Sequence, residues 1–81
     1  MGQVADETGI IEVVARNVRS ARKGAGLSQE ELAARAEIDR TYVSQVERRQ
    51  RNITVVVLAR LANALQIEPH ELLMRSKPSG P

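Results

Sequence analysis

Apolar residues recur at helical spacing along this chain, in short runs that turn residues separate. The most informative run covers residues 29–48, where the apolar spacing breaks once and resumes in a new register. Its apolar positions form one helix face, fill a corner and form a second helix face, in this order: Leu32, Ala33 and Ala36, then Ile38, then Val43 and Val46. This spacing predicts a helix-turn-helix, two short helices that meet at a tight corner.

The rest of the chain adds three more predicted helices. Apolar residues at helical spacing indicate a first helix from about residue 8 to 24, which a pair of glycines ends. Residues that favour the start of a helix mark the other four helices: Ser28, Asp39, Thr54 and Pro69. Ser28 and Glu31 have the spacing of a capping box, and the helix that Asp39 opens extends to about Glu47. The chain is thus predicted to be all-α, with five helices.

Apolar pairs five residues apart flank these four helix starts. The pairs are Leu27 with Leu32, Ile38 with Val43, Ile53 with Leu58, and Ile67 with Leu72. Such a pair packs across a helix start as a hydrophobic staple and fixes the angle at which the chain enters the helix. Four staples in succession support the predicted helix starts independently of the caps.

Composition favours a single helical domain. The chain has 81 residues, of which 42% are hydrophobic, and Tyr42 is its one aromatic residue. The core must therefore consist of Leu, Ile, Val and Ala, which pack well between helices. This length suits one domain near the lower limit for a stable core. We expect residues 1–75 to form that domain, and residues 76–81, which lack apolar side chains, to form a flexible tail.

Several functional classes lack the residues that they require. With no cysteine and a single histidine, His70, the chain cannot assemble a disulfide, a thiolate metal site or a catalytic triad. We therefore expect no enzyme activity, no metal, no cofactor and no small-molecule ligand. No apolar run approaches the ~18 residues that cross a bilayer, and the first residues carry acids where a signal peptide carries bases. A cytoplasmic protein without membrane contact is expected.

Positive charge is concentrated in two segments of the chain. The net charge is only +2, but residues 16–23 hold four bases and no acid, and residues 40–51 hold four arginines against Glu47. Ten of the twelve bases are arginine, whose guanidinium can bridge phosphate or guanine with two hydrogen bonds. Ordinary solvated helix faces remain the alternative for these charges taken alone.

The second helix of the motif presents polar side chains away from its two valines. They are Arg40, Thr41, Ser44, Gln45 and Arg48. Hydrogen-bonding and cationic groups at these positions suit a recognition helix that enters the major groove. The pattern therefore predicts a protein that binds double-stranded DNA.

Two sets of motifs resemble known DNA-binding proteins. G-L-S-Q-E-E-L-A at residues 26–33, the apolar pattern through Val46, and Glu47 resemble the lambda-repressor and Cro-like family, often called Xre-type. D-R-T-Y-V-S from Asp39 and E-R-R-Q-R-N-I-T from Glu47 resemble the controller proteins of restriction-modification systems. The resemblance covers roughly residues 10–74. It implies a five-helix domain that carries the helix-turn-helix on helices two and three.

Carried over by position, the resemblance implies a role for each polar residue of the motif. Arg40, Thr41 and Ser44 are expected at base edges, with Gln45 at the margin. For Arg40, a contact to phosphate alone is the alternative. The residues expected at phosphates or along the groove are Ser28, Gln29, Tyr42, Arg48, Arg51 and Asn52.

The resemblance also implies one internal ion pair and exposes one departure. Arg22 and Glu47 correspond to a family pair that ties helix one to the end of helix three. Glu37 occupies the corner position where the family usually has a left-handed glycine. A left-handed glutamate there costs on the order of 1 kcal/mol, which tertiary packing can override.

One recognition helix buries too little surface for selective binding, so we expect a homodimer on a palindromic operator. Its two recognition helices would enter major grooves ~34 Å apart. The residues expected at the dimer interface are Ile67, Leu72, Leu73 and Met74. Residues 55–57, all valine, suit either this interface or the core.

The expected function is therefore a homodimeric transcription regulator at the nucleoid, which blocks or recruits RNA polymerase according to the position of its operator. The resemblance to controller proteins extends this expectation to restriction-modification genes and to the protein's own promoter. The alternative is an antitoxin-type module of the same family, which binds a partner toxin as well as DNA.

Overall fold

The computed structural model describes residues 6–75, so the predicted tail at 76–81 lies outside the described residues. Four α-helices follow one another: α1 (Ile10–Gly24), α2 (Gln29–Ala36), α3 (Arg40–Glu47) and α4 (Val55–Leu65). A 3-10 helix (Pro69–Leu73) follows α4, and the described range contains no strand. The all-α class is confirmed, whereas the fifth predicted α-helix is a 3-10 helix. Five residues form little more than one turn, a length at which 3-10 geometry is common.

Side-chain caps open α2, α3 and α4 at the predicted residues. The Ser28 hydroxyl accepts from the Glu31 amide at 3.0 Å, and the Glu31 carboxylate accepts from the Ser28 amide at 2.8 Å. Asp39 caps the Thr41 amide at 2.9 Å, and Thr54 caps the Val57 amide at 3.1 Å. All three predicted starts are confirmed.

Helix α1 begins two residues later than predicted. Gly9 precedes it in a left-handed conformation, with φ of 75°, which glycine adopts without steric cost. The Asp6 carboxylate accepts from the amides of Ile11 and Glu12, both at 3.2 Å. These bonds satisfy first-turn donors from outside the helix, so the periodic apolar pattern did not show where the helix begins.

Left-handed residues follow the helical segments at four places: Gly26, Glu37, Arg49 and Gln66. After each of them, the next amide donates to a carbonyl five residues earlier, as in a Schellman motif. Glu37 has φ of 59° and ψ of 44°, so it keeps the geometry that the family usually gives to glycine. The departure at the corner therefore leaves the turn intact.

The core lies between the helices, and among residues 6–75 the residues buried in it are all apolar. Its largest fully buried residues are Val18, Leu32, Val43, Leu61 and Leu72. Helix α2 packs against α3 and α4, and α1 packs against α3 and the 3-10 helix. Because α1 and α2 support α3 from behind, the opposite face of α3 is left to solvent.

Leu72 corrects one predicted interface residue. It was expected on the dimer surface, but it is 0% exposed and belongs to the core. The staple explains this, since Leu72 is the inner partner of Ile67 at the start of the 3-10 helix. Of the three valines that open α4, Val55 and Val56 are 81% and 63% exposed, and Val57 packs partly against the core.

Candidate DNA-binding surface

The exposed side of α3 carries the predicted base-contacting residues. Val43 and Val46 are buried, and an α-helix turns about 100° per residue, so Thr41 and Arg48 point directly away from the core. Both side chains are exposed, and the Arg48 Nε donates to the Ser44 carbonyl at 3.4 Å. We call this side the reading face, formed by Arg40, Thr41, Ser44, Gln45 and Arg48.

Arg40 and Ser44 lie on the side of the reading face nearer to the start of α2. The Arg40 Nε is 3.9 Å from a carboxylate oxygen of Glu30, and their side chains are 62% and 74% exposed. An ion pair this exposed contributes little free energy, so an approaching guanine or phosphate can displace it. Arg40 is therefore available to DNA.

A buried hydrogen-bond network fixes α3 from behind. The Arg22 guanidinium contacts both carboxylate oxygens of Glu47, at 2.7 and 3.0 Å, and also donates to the Leu27 carbonyl at 2.9 Å. The Gln29 amide nitrogen donates to Glu47 at 3.1 Å. The side chains of Arg22 and Glu47 are only 11% and 3% exposed. We call Arg22, Gln29 and Glu47 the buried anchor, since it joins α1, α2 and α3.

The buried anchor shifts the ionisation of its charged members. Burial raises the pKa of the Glu47 carboxyl, but hydrogen bonds from Arg22 and Gln29 outweigh burial, so its pKa lies below the ordinary value. The hydrogen bond to Glu47 raises the pKa of Arg22 despite its partial burial. The pair therefore stays ionised at neutral pH.

The side chain of Gln29 corrects part of its predicted role. It was expected at a phosphate, but its amide group faces inward to Glu47. What Gln29 still offers to an anion is its backbone N–H, which with that of Glu30 lies in the first turn of α2 outside the capping box. Ser28 is exposed beside them.

A second contact holds the loop after α3 against the reading face. The Arg51 guanidinium carbon lies 4.3 Å from the centre of the Tyr42 ring, and the Arg51 Nε donates to the Gln45 carboxamide oxygen at 2.8 Å. The Tyr42 ring also packs against the core. We call Arg51, Tyr42 and Gln45 the surface anchor.

The three residues of the surface anchor are each predicted DNA contacts, but the sequence does not predict that they contact one another. Tyr42 and Gln45 are three residues apart on α3 and so share a helix side. That spacing is the signal in the sequence, but nothing in it shows that Arg51 folds back from the loop. Asn52 follows Arg51 and is exposed.

The remaining interface residues fall on two separate surfaces. Leu73, 42% exposed, lines an apolar recess of about 180 Å³ whose other walls include Ile10, Ile53 and Val55. Ile67 and Met74 are half-buried and line a larger groove of about 380 Å³ beside α1. Leu72 borders this groove as well but is fully buried, and Leu73 lies apart on the recess, so the structure does not bring the four predicted residues onto one face.

Other kinds of site have little support in the described part of the chain. Between residues 6 and 75, no group of three His, Cys, Asp or Glu side chains is placed to hold a metal ion. His70 is exposed on the 3-10 helix. No helix in the same range is long and apolar enough to cross a membrane.

Comparison with known proteins agrees with this geometry. A helix-turn-helix family model matches residues 18–72. The chain is 47% identical over 66 residues to the control protein C.SmaI of Serratia marcescens, covering 82% of this chain and 79% of that protein.

Two solved structures have the same fold. One is the restriction-modification controller protein C.AhdI from Aeromonas hydrophila, with a TM-score of 0.75 and 47% identity, covering 76% of this chain and 94% of that one. The other is SinR, the master regulator for biofilm formation, in complex with DNA, with a TM-score of 0.72 and 31% identity, covering 75% of this chain and 98% of that one. The chain therefore belongs to the helix-turn-helix family of Xre-like DNA-binding domains, and its close homologues include controller proteins of restriction-modification systems.

Proposed function

We propose that this protein is a homodimeric transcription regulator that recognises a palindromic operator through α3. The observation that carries the proposal is the reading face, a row of polar side chains on the outer side of a helix that the buried anchor joins to α1 and α2. The relatives support it, since SinR has the same fold and was solved in complex with DNA.

In this proposal Arg40, Thr41 and Ser44 contact base edges in the major groove. An arginine can donate to guanine N7 and O6 together, and a threonine offers a hydroxyl and a methyl that packs on thymine. The first-turn amides of α2 bind a phosphate on one side of α3. On the other side, the loop with Arg51 and Asn52 meets the opposite strand.

The dimer interface that we propose is centred on the apolar recess. Val55 and Leu73 line it, and Val55, Val56 and Leu73 are the exposed large hydrophobic residues within residues 6–75. A second copy would remove these side chains from water. Asn52 lines the same recess. The dimer axis would therefore lie beside the DNA-contacting loop and bring two reading faces onto one side of the dimer.

We propose that the protein acts in the cytoplasm and controls restriction-modification genes and its own promoter. Support comes from the similarity to the control protein C.SmaI and to the restriction-modification controller protein C.AhdI. A dimer bound within a promoter would block RNA polymerase, and one bound just upstream would recruit it.

A binding assay with duplex DNA from upstream of the protein's own gene tests base recognition. Arg40→Ala should weaken binding about 5- to 150-fold, which corresponds to 1–3 kcal/mol for one bidentate base contact. Arg35→Ala is the matched control. It removes an exposed arginine about 9 Å along α2 from the first-turn amides and should change affinity little. Equal affinity of the wild type for a scrambled duplex, or an unaffected Arg40→Ala, would contradict the proposal.

Variants at two adjacent residues, Leu73 and Met74, test the proposed dimer interface. Leu73→Gln should shift the dimer to monomer in sedimentation experiments, because Leu73 lines the apolar recess. Met74→Gln changes the other surface and should leave the dimer intact. The reverse outcome would place the interface in the groove of Ile67 and Met74.

A further inference from the structure

We propose that Arg51 determines which base Gln45 recognises, so that Gln45 selects guanine, and thymine next, instead of adenine. The inference rests on the proposed function, since it concerns the same reading face. It starts from the surface anchor, which predictions from the sequence did not contain.

The geometry fixes Arg51 from two directions. Its guanidinium carbon lies over the Tyr42 ring, 4.3 Å from the ring centre, and its Nε donates to the Gln45 oxygen at 2.8 Å. The Tyr42 ring rests partly on the core, so it forms a platform that α3 holds in place. Stacking of this kind suits a planar guanidinium.

The chemistry of the two groups then decides the orientation of Gln45. A guanidinium carries only donors, so the carboxamide must offer it the oxygen. The amino group of Gln45 is left for DNA. The oxygen keeps a second lone pair, but the positive guanidinium lies beside it and opposes the approach of another donor.

The hydrogen-bonding groups of Gln45 that Arg51 leaves unbonded determine which bases Gln45 can recognise. A free glutamine recognises adenine by accepting from the N6 amino group while donating to N7. With its oxygen engaged by Arg51, Gln45 acts only as a donor and suits bases that present acceptors. Guanine presents two acceptors, N7 and O6, and thymine presents O4, whereas adenine places the N6 donor beside its one acceptor, N7, and the cytosine edge presents a donor. The surface anchor therefore disfavours adenine and cytosine on the strand whose base edge Gln45 meets.

Selection of binding sites from a randomised duplex pool, followed by sequencing, tests this inference. The position that Gln45 contacts is identified as the one where Gln45→Ala loses base preference. There, the wild type should enrich guanine, with about fivefold discrimination against adenine. Arg51→Ala should free the carboxamide oxygen and move the preference at that position to adenine. Preferences at the positions that Arg40→Ala alters should stay unchanged.

The control is Arg35→Ala, which removes an exposed arginine of α2 and keeps the surface anchor. It should leave guanine preferred at the Gln45 position. An adenine preference in the wild type, or the same base preferred with and without Arg51, would overturn the inference while leaving the proposed function intact. Absence of any enriched sequence for the wild type would instead overturn the proposed function, and the inference with it.

Discussion

The buried anchor and the surface anchor both hold α3, but they do so in different surroundings. The buried anchor joins Arg22, Gln29 and Glu47 behind the helix, with Glu47 only 3% exposed. The surface anchor joins Arg51, Tyr42 and Gln45 at the edge of the reading face, where Arg51 is exposed. Both use an arginine with a short hydrogen bond, but the first arginine pairs with a buried carboxylate, whereas the second contacts a neutral amide and an aromatic ring at the surface.

This difference separates stability from recognition. Removing one partner of a buried ion pair leaves the other charge without compensation, and this strongly destabilises a fold. An exposed contact is screened by water and salt and contributes little to stability. The buried anchor should therefore set the stability and orientation of α3, whereas the surface anchor should affect DNA binding alone.

Glu47→Gln should have the largest effect, which is a loss of stability. The change removes the charge that compensates Arg22 and should lower the free energy of unfolding by about 3 kcal/mol, as found for broken buried pairs. Urea unfolding followed by circular dichroism measures it. Arg51→Ala is the matched variant from the surface anchor and should cost less than about 0.5 kcal/mol. Equal losses in the two variants would remove the distinction between the anchors.

The pH dependence of stability provides a second, smaller effect. The pKa of Glu47 is lower in the folded protein than its ordinary value, so the unfolded state binds more protons between the two pKa values. The contribution of Glu47 to the free energy of unfolding should be complete above about pH 4.3, the ordinary glutamate pKa. It should be lost as the pH falls through the lower pKa that Glu47 has in the folded protein.

Glu31 is the control for that titration. Hydrogen bonds from the Ser28 amide and hydroxyl lower its pKa as well, so it contributes to the same acid limb. Urea unfolding from pH 7 to pH 3 should show a flatter curve for Glu47→Gln than for the wild type. The Glu31→Gln curve should keep the part of the slope that belongs to Glu47. An unchanged slope in Glu47→Gln would contradict the role given to the buried anchor.

Arg51→Ala should weaken operator binding about fivefold, an effect of about 1 kcal/mol. Because the loop with Arg51 is proposed to meet the opposite DNA strand, loss of this arginine should also reduce the slope of log affinity against log salt by ~0.9. Titrations at several salt concentrations measure both quantities. A loss of affinity accompanied by an equal loss of stability would show that the surface anchor holds the fold instead.

The smallest expected effect comes from Glu37→Gly, at the turn between the two anchored helices. Glycine removes left-handed strain of roughly 1–2 kcal/mol but gains entropy in the unfolded chain, so a net stabilisation of about 0.5 kcal/mol is expected. The Arg60 guanidinium donates to the Glu37 carbonyl at 3.3 Å, a bond that glycine retains. Thermal unfolding measures the change, and operator affinity should stay constant. A destabilised variant would show that the glutamate side chain supports the turn.

Local signals in the sequence predicted the helix starts well. Ser28, Asp39 and Thr54 cap their helices as expected, because capping depends on residues within one turn of each other. The burial of Leu72 also follows from a local signal, its staple with Ile67, which conflicts with the interface role predicted for it. The 3-10 geometry of its segment depends instead on packing against α1 and α4.

The features of the candidate site also divide into those that the sequence predicts and those that depend on the folded structure. The reading face follows from helical periodicity and the buried valines, which the sequence contains. The inward turn of Gln29 and the return of Arg51 over Tyr42 depend on where α2 and the loop are placed in three dimensions. Contacts between residues that are distant along the chain have no periodic signature. The ion pair of Arg22 and Glu47 could be predicted because the family resemblance implies it.

Hydroxyl-radical footprinting on the DNA upstream of the protein's own gene tests the central claim most directly, namely that two copies of α3 recognise a symmetric operator. We expect two protected half-sites related by sequence symmetry, with centres about 10 base pairs or a multiple of that apart. Arg40→Ala should abolish the protection at concentrations where Arg35→Ala retains it. A single protected segment without symmetry, or protection that Arg40→Ala leaves unchanged, would contradict the account.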